Sequence, residues 1–358
     1  MSNNDFLRNM IKELGDLDTH LADDATHSSE YSGAIDTGSY ILNAALTGSI
    51  YGGVPNNKIT AFAGESATGK TFFVLGIAKK FLDDNAKAVV FYYDTEAAVT
   101  KSMMTDRGID TKRVVIIESE TIQSFRTHMI KVLDNYAKMK KEERPPMLMI
   151  LDSLGMLSST KEISDTADGA ETRDMTKAQL MKATFRVLSL KLAKVNVALL
   201  VTNHVYAVIG AYMPTKEMGG GSGLKYAASQ IVMLSKKKDK EGTDVVGNII
   251  HCAMHKSRMT KENKKVDVKL SYDTGLDRYY GLLDLAEKYN IIKKVSTRYE
   301  LPDGSKVFGK NINEEPEKYF TEDVLAQLEV AAAREFKYGQ GEVNERQDDG
   351  ELAESTEV

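Results

Sequence analysis

Apolar positions along the chain switch repeatedly between two periods. Short β-branched and apolar runs fall at residues 58–63, 88–93, 114–118, 147–151 and 197–202. Between them, apolar residues recur at helical spacing over 71–83, 97–108, 121–139 and 173–194. This alternation predicts an α/β fold with a mostly parallel sheet, whose ligands bind beyond the carboxyl ends of the strands. From about residue 230 to 270 the chain turns strand-rich (IVMLSKKK, VVGNIIHCAM, KKVDVKLSY), predicting an antiparallel extension. Residues 280–336 predict a small α+β module: a helix over LLDLAEKY, a hairpin turning at Pro302-Asp303-Gly304, and a final helix. At the other end, Phe6, Met10, Ile11 and Leu14 share one face of a helix expected over 2–16. That apolar face must pack either on another subunit or as a lid on its own domain. The expected organisation is an N-terminal helix and linker (1–34), an α/β core (35–277), a C-terminal module (278–338) and a glycine-rich acidic tail (339–358). The tail is expected to stay disordered.

Composition narrows the class. The chain has 358 residues, 42% hydrophobic and 28% charged, enough for one large core and a satellite module. No apolar stretch reaches ~18 residues, so no membrane span is expected. The start, MSNNDFLRNM, lacks the basic and then apolar pattern of a secretory signal. A single cysteine, Cys252, excludes an internal disulfide framework and fits a reducing cytoplasm. The net charge of −5 argues against a generally basic DNA-coating protein but not against a local basic groove.

The strongest chemical signal is residues 58–71, KITAFAGESATGKT. Gly64-Glu65-Ser66-Ala67-Thr68-Gly69-Lys70-Thr71 fits G-x-x-x-x-G-K-[ST] at every fixed position, after a strand-like run and before a helical one that starts at Phe72. Glycines let the backbone wrap so that successive N–H groups point at phosphate oxygens, and the helix N-terminus adds partial positive charge. Lys70 is expected to neutralise the β- and γ-phosphates of ATP, and Thr71 to hold Mg²⁺.

Three other strand ends carry polar groups. Met147–Asp152 is an apolar run that ends in Asp152, placed to order Mg²⁺. Glu96 follows the strand of residues 89–94 and is a candidate to orient or deprotonate an attacking water, with Asp94 as rival. His204 ends the run from Ala198 and is placed to touch a γ-phosphate. His251 and His255 invite a metal reading, but four residues of strand span ~13 Å, too far for one ion.

Together these residues resemble a RecA-family recombinase core. The resemblance rests on Ile35-Asp-Thr-Gly-Ser, Leu46-Thr-Gly and Gly52-Gly-Val-Pro before the phosphate loop. It extends through Asp94-x-Glu96, the ILDSL strand and Gly219-Gly-Gly-Ser-Gly-Leu-Lys-Tyr226. Thr-Asn-His at 202–204, Met218-Gly-Gly-Gly and His255-Lys-Ser-Arg258 are similar to the branch of that family found in T-even phages. It covers about residues 35–290.

The resemblance implies an ATP-dependent recombinase with a RecA-like core, an N-terminal arm and a small C-terminal α+β module. Such a protein forms a helical filament of its own copies on single-stranded DNA, pairs it with homologous duplex DNA and exchanges strands. It does so in phage recombination, repair and replication, in the cytoplasm of the infected host, with single-strand-binding and mediator proteins as accessory partners. It implies that Glu96 is the catalytic carboxylate, Asp152 the Mg²⁺-side aspartate and His204 the γ-phosphate sensor. Lys256 and Arg258 would complete the ATP site of the neighbouring subunit, where cations stabilise developing phosphoryl charge. Where the family often sets a tyrosine against adenine, this chain has Met103, whose thioether can pack on a base.

Two segments match the family's DNA-binding loops, about 154–174 and 205–222. Both follow strand ends and so leave from near the phosphates. Single-strand binding combines backbone cations with base contacts. In the second loop, Tyr206, Tyr212 and Lys216 fit those roles, followed by Lys225, and Gly220 and Gly221 permit close approach of the backbone to phosphate. Arg186 matches a family DNA contact. The first loop is acidic (Glu162, Asp165, Asp168 and Glu171 against Lys161), so its expected role is positional. Two other classes remain open: a ring-shaped replicative helicase motor, which normally carries a helical collar before this core, and a non-catalytic ATP-switched scaffold that coats DNA.

Overall fold

The apolar runs become neighbours in one sheet, the inner ones buried on both faces and the edge run Val114–Glu118 partly open to solvent. A computed structural model of the chain describes residues 3–15, 19, 21–23, 33–169, 176–207, 216–272 and 275–339. Tyr212, most of the expected linker, part of each expected DNA loop and nearly all of the acidic tail lie outside the described residues.

Among the described residues, the main sheet has ten strands. Its parallel part runs Val114–Glu118, Val89–Asp94, Met147–Asp152, Ala198–Ala207, Ile59–Gly64 and Gln230–Glu241. The strand-rich stretch then continues the sheet antiparallel through Asp244–Ser257, Lys265–Ser271 and Gly275–Leu276, as the loss of helical spacing predicted. The short strand Lys216–Met218 pairs antiparallel with the end of Ala198–Ala207.

Alternation along Met147–Asp152 sorts the core into two layers. Leu148 and Ile150 face one apolar cluster, with Phe62, Tyr92, Leu200 and the helix Lys70–Asp84. Met147, Met149 and Leu151 face the other, with Phe125, Phe185, Leu188 and the helices Ile122–Lys138 and Lys177–Val195. Period-2 alternation continues past the apolar residues. It therefore brings Asp152, and Thr202 and His204 on the adjacent strand, to the face covered by the phosphate-loop helix.

One expectation is corrected. The helix expected over 97–108 is only Lys101–Thr105. The chain first makes a turn in which the Asp94 carboxylate accepts the N–H groups of Glu96 and Val99, with Ala97 at φ 50°. Thr100 then caps the short helix through Met103 N–H. The C-terminal module packs on the core. Its final helix, Glu322–Phe336, places Leu328, Ala332 and Phe336 in the same cluster as Leu42 and Leu46 of the helix Tyr40–Thr47. Glu329 accepts the Ile50 N–H at 2.8 Å. Glu335 draws together Lys264, Lys288 and the Tyr289 hydroxyl, at 2.7, 2.7 and 3.0 Å. Burial alone would raise its carboxyl, but these three donors hold it down at about 2. The helix Asn3–Leu14 buries none of its residues, and Phe6, Leu7, Met10 and Leu14 are exposed.

Candidate nucleotide site

A cleft of about 930 Å³ opens at the carboxyl ends of the parallel strands. Ser66, Ala67, Gly69, Lys70, Thr71, Phe72, Glu96, Asp152 and His204 all line it. Sheet register explains the convergence: Gly64 pairs with His204, and Asp94 with Asp152, so residues far apart in sequence end at one level.

Lys70 is buried, and its ammonium donates to the carbonyls of Gly64 and Glu65, at 3.1 and 2.8 Å. It also lies 3.5 Å from His204 Nδ1. Burial pulls its pKa below the usual lysine range, partly countered by Asp152 and Glu96. Gly64 leaves no room for a side chain, since a Cβ there would sit 2.8 Å from Leu234 O and from Thr68 Oγ1.

Glu96 is held from two sides. Ser153 Oγ donates to its Oε1 at 2.7 Å, and His204 Nε2 lies 3.0 Å from the same oxygen. Burial pushes the Glu96 carboxyl up, but the bonds from His204 and Ser153 outweigh it and hold it below the ordinary range. It stays ionised, as a water-orienting carboxylate requires. Asp94, the rival candidate, uses its oxygens on the turn described above. Ser153 belongs to the ILDSL run, which as a sequence assigns it no role. The peptide bond before it is cis.

Asp152 is buried at the strand end and accepts from Tyr92 at 2.6 Å and from Thr202. Together with Thr71 it offers one carboxylate and one hydroxyl beside the phosphate loop, an oxygen donor set that fits Mg²⁺ with water completing its shell. Such an ion would neutralise phosphate charge.

The outer cleft holds residues that the sequence did not single out. Arg107 stacks over the Phe72 ring at 4.2 Å, and Tyr272, Asn248, Lys236 and Arg278 complete the wall. Lys236 also reaches the Ala67 carbonyl. Met103 packs against the core cluster, while Arg107, donating to the Met103 carbonyl at 2.8 Å, lines the cleft in its place.

Lys256 and Arg258 do not line this cleft. The Lys256 ammonium donates to the carbonyls of Lys225, Tyr226 and Ala228, capping the helix Ser222–Ala227, and Arg258 reaches Tyr226 O at 3.2 Å. Burial and then Arg258 pull the Lys256 pKa down. Of the expected DNA contacts, Arg186 and Tyr206 are exposed; on the helix that carries Arg186, Lys182 lies 5.8 Å over the ring of Tyr226. Gly220 and Gly221 adopt left-handed φ of 81° and 78° before the helix Ser222–Ala227. At Gly223 a Cβ would meet Lys182 N at 2.8 Å, so this glycine lets that helix lie directly on Lys177–Val195. Lys216 pairs through its backbone with Ala207.

Residues 7–277 match the family model of the RecA N-terminal domain. The chain belongs to the RecA family. Over 254 residues it is 31% identical to the recombination and repair protein of Enterobacteria phage T4. That match covers 71% of this chain and 63% of the phage protein, less than two thirds of that relative's length. It is 26% identical over 336 residues to Protein RecA of Francisella tularensis subsp. novicida, covering 92% and 84% of the two chains, and equally to that of subsp. tularensis. RecA-family members bind and hydrolyse ATP, bind DNA and oligomerise. Among the described residues, no helix is long and apolar enough to cross a membrane.

Proposed function

We propose that this chain is an ATP-dependent DNA recombinase that polymerises as a helical filament on single-stranded DNA and exchanges strands with homologous duplex. One observation carries the reading: the strand Ala198–Ala207 holds His204 in the nucleotide cleft and, two residues on, Tyr206 exposed at the start of the second loop. In an extended strand, residues two apart share a face and sit ~6–7 Å apart. A γ-phosphate that moves His204 therefore acts on the loop through one short backbone segment.

In this account Lys70 binds the β- and γ-phosphates, leaving its carbonyl partners as they arrive. Glu96 orients the attacking water, with Ser153 fixing its carboxylate. His204 divides its two ring nitrogens between Lys70 and Glu96, so a γ-phosphate competes for the contact with Lys70. Lys256 and Arg258 lie outside their own subunit's cleft, which favours their acting in the cleft of a neighbour. The exposed apolar face of Asn3–Leu14 favours docking on that neighbour too.

The test is ATP hydrolysis with and without single-stranded DNA, beside electron microscopy with a non-hydrolysable analogue. The account expects DNA-stimulated turnover and long helical filaments. Closed rings would favour a helicase motor, and binding without turnover a scaffold.

A further inference from the structure

We propose that Tyr92 and Thr202 act as a two-sided clamp on Asp152, positioning residues that set the divalent-metal requirement of the cleft. The inference rests on the nucleotide reading above and deepens it.

Asp152 ends a strand flanked on both sides by parallel neighbours, Val89–Asp94 and Ala198–Ala207. Each neighbour sends one hydroxyl to it. The Tyr92 hydroxyl donates to Oδ2 at 2.6 Å, and Thr202 Oγ1 donates to Oδ1. Both donors are fully buried, and Asp152 itself is 5% exposed. Tyr92 pairs in register with Ile150, and Leu151 with Val201, so all three side chains fall on the face shared with the phosphate-loop helix. Toward the core that face is apolar, with Phe62, Leu148, Ile150 and Leu200, and on the other side of Asp152 the cleft begins with Lys70 and His204.

An isolated hydroxyl in such a layer costs free energy unless it is bonded. Two of them, one per carboxylate oxygen, satisfy each other's need only through Asp152. An ionised carboxylate accepts about four hydrogen bonds. With one protein donor on each oxygen, its rotation is blocked and the remaining lone pairs are free for the water shell of an ion held by Thr71. Without the clamp the carboxylate is free to turn toward the Lys70 ammonium, whose charge it already feels. The sequence placed Asp152 at the metal but gave no sign of what aims it, because Tyr92 and Thr202 read as ordinary strand residues.

The experiment follows equilibrium binding of a fluorescent, non-hydrolysable ATP analogue while Mg²⁺ is titrated, and repeats it in EDTA. Tyr92→Phe and Thr202→Val should each raise the half-saturating Mg²⁺ by about tenfold, as is common when the groups that orient a metal ligand are lost. Binding in EDTA should change less than twofold, because the phosphate loop is intact. Thr202→Ser, which keeps the hydroxyl, should restore the wild-type midpoint. Thermal melting in EDTA checks folding. If Tyr92→Phe proves unfolded, the Thr202 pair carries the test alone. A Thr202→Val protein that titrates like wild type, or a Thr202→Ser protein as impaired as Thr202→Val, overturns the clamp. Lys70→Ala separates the two claims: if it binds the analogue normally, the nucleotide reading fails, whereas its failure to bind beside an unchanged Thr202→Val midpoint sinks the clamp alone.

Discussion

Two lysines in this molecule sit in similar cages and opposite fields. Lys70 gives its ammonium to carbonyls of the phosphate loop, and Lys256 gives its own to carbonyls at the end of the helix Ser222–Ala227. Burial lowers the pKa of both. Around Lys70, however, Asp152 and Glu96 favour the charge, while beside Lys256 the Arg258 guanidinium and Lys225 oppose it, relieved only in part by Glu262. Carboxylates of its own subunit offset part of the first lysine's burial. Beside the second, two cations, Arg258 and Lys225, stand against one carboxylate, Glu262. On the function proposed above, the difference separates a cation that binds its own subunit's nucleotide from one that meets nucleotide bound by a neighbour.

The contrast is broken most forcefully at the first lysine. Lys70→Ala should cut DNA-stimulated hydrolysis by a hundredfold or more, to about background, since it removes the main cation on the transferring phosphate. Turnover near wild type in a phosphate-release assay would exclude the phosphate-loop mechanism. Glu96→Gln should lower turnover by about a hundredfold while keeping nucleotide affinity, because it removes a base and not a phosphate contact. Arg258→Ala should lower hydrolysis on DNA by about tenfold to a hundredfold and leave nucleotide binding by the free subunit unchanged, with melting hardly shifted. If it weakens binding in the isolated subunit, Arg258 serves its own cleft and the contrast collapses.

A smaller effect is expected where the C-terminal module meets the core. Glu335 is held at about 2 in the folded chain against an ordinary 4.5. The sign follows from linkage: a carboxyl whose pKa is depressed by folding contributes stability above its unfolded value and loses it as pH falls toward its folded one. Glu335→Gln should therefore lower stability by about 1–2 kcal/mol near neutral pH, with loss of hydrogen bonds to a charged group that is partly open to water. The gap between the two proteins should close as pH falls from about 4.5 to about 2. Denaturant melts at several pH values check this, and a gap that widens on acidification would contradict it.

Much of this was legible in the sequence because strand ends advertise themselves. An apolar run that ends in Asp152, or a loop with Gly64, Lys70 and Thr71 between a strand and a helix, carries both the element and the chemistry in contiguous residues. The outer cleft was not legible for the opposite reason. Lys236 and Asn248 come from successive antiparallel strands, Tyr272 from the turn after a third, and Arg107 from the turn after a five-residue helix, so no local spacing joins them. Ser153 and Tyr92 act on Glu96 and Asp152 through contacts across the sheet, which only register reveals. The glycine run after Met218 points, as a sequence, only to close approach of the backbone to phosphate. Gly223 shows a second demand, helix on helix, that the same composition satisfies.

Subunit mixing tests the central claim most directly. Lys70→Ala retains Lys256 and Arg258, while a Lys256→Ala/Arg258→Ala protein retains the cleft, and each alone should hydrolyse little ATP on single-stranded DNA. Mixed on one strand, they should recover turnover, because some junctions then pair an intact cleft with intact cations. A mixture no more active than its two components, under conditions where both are shown to co-assemble, would contradict a nucleotide site shared between subunits.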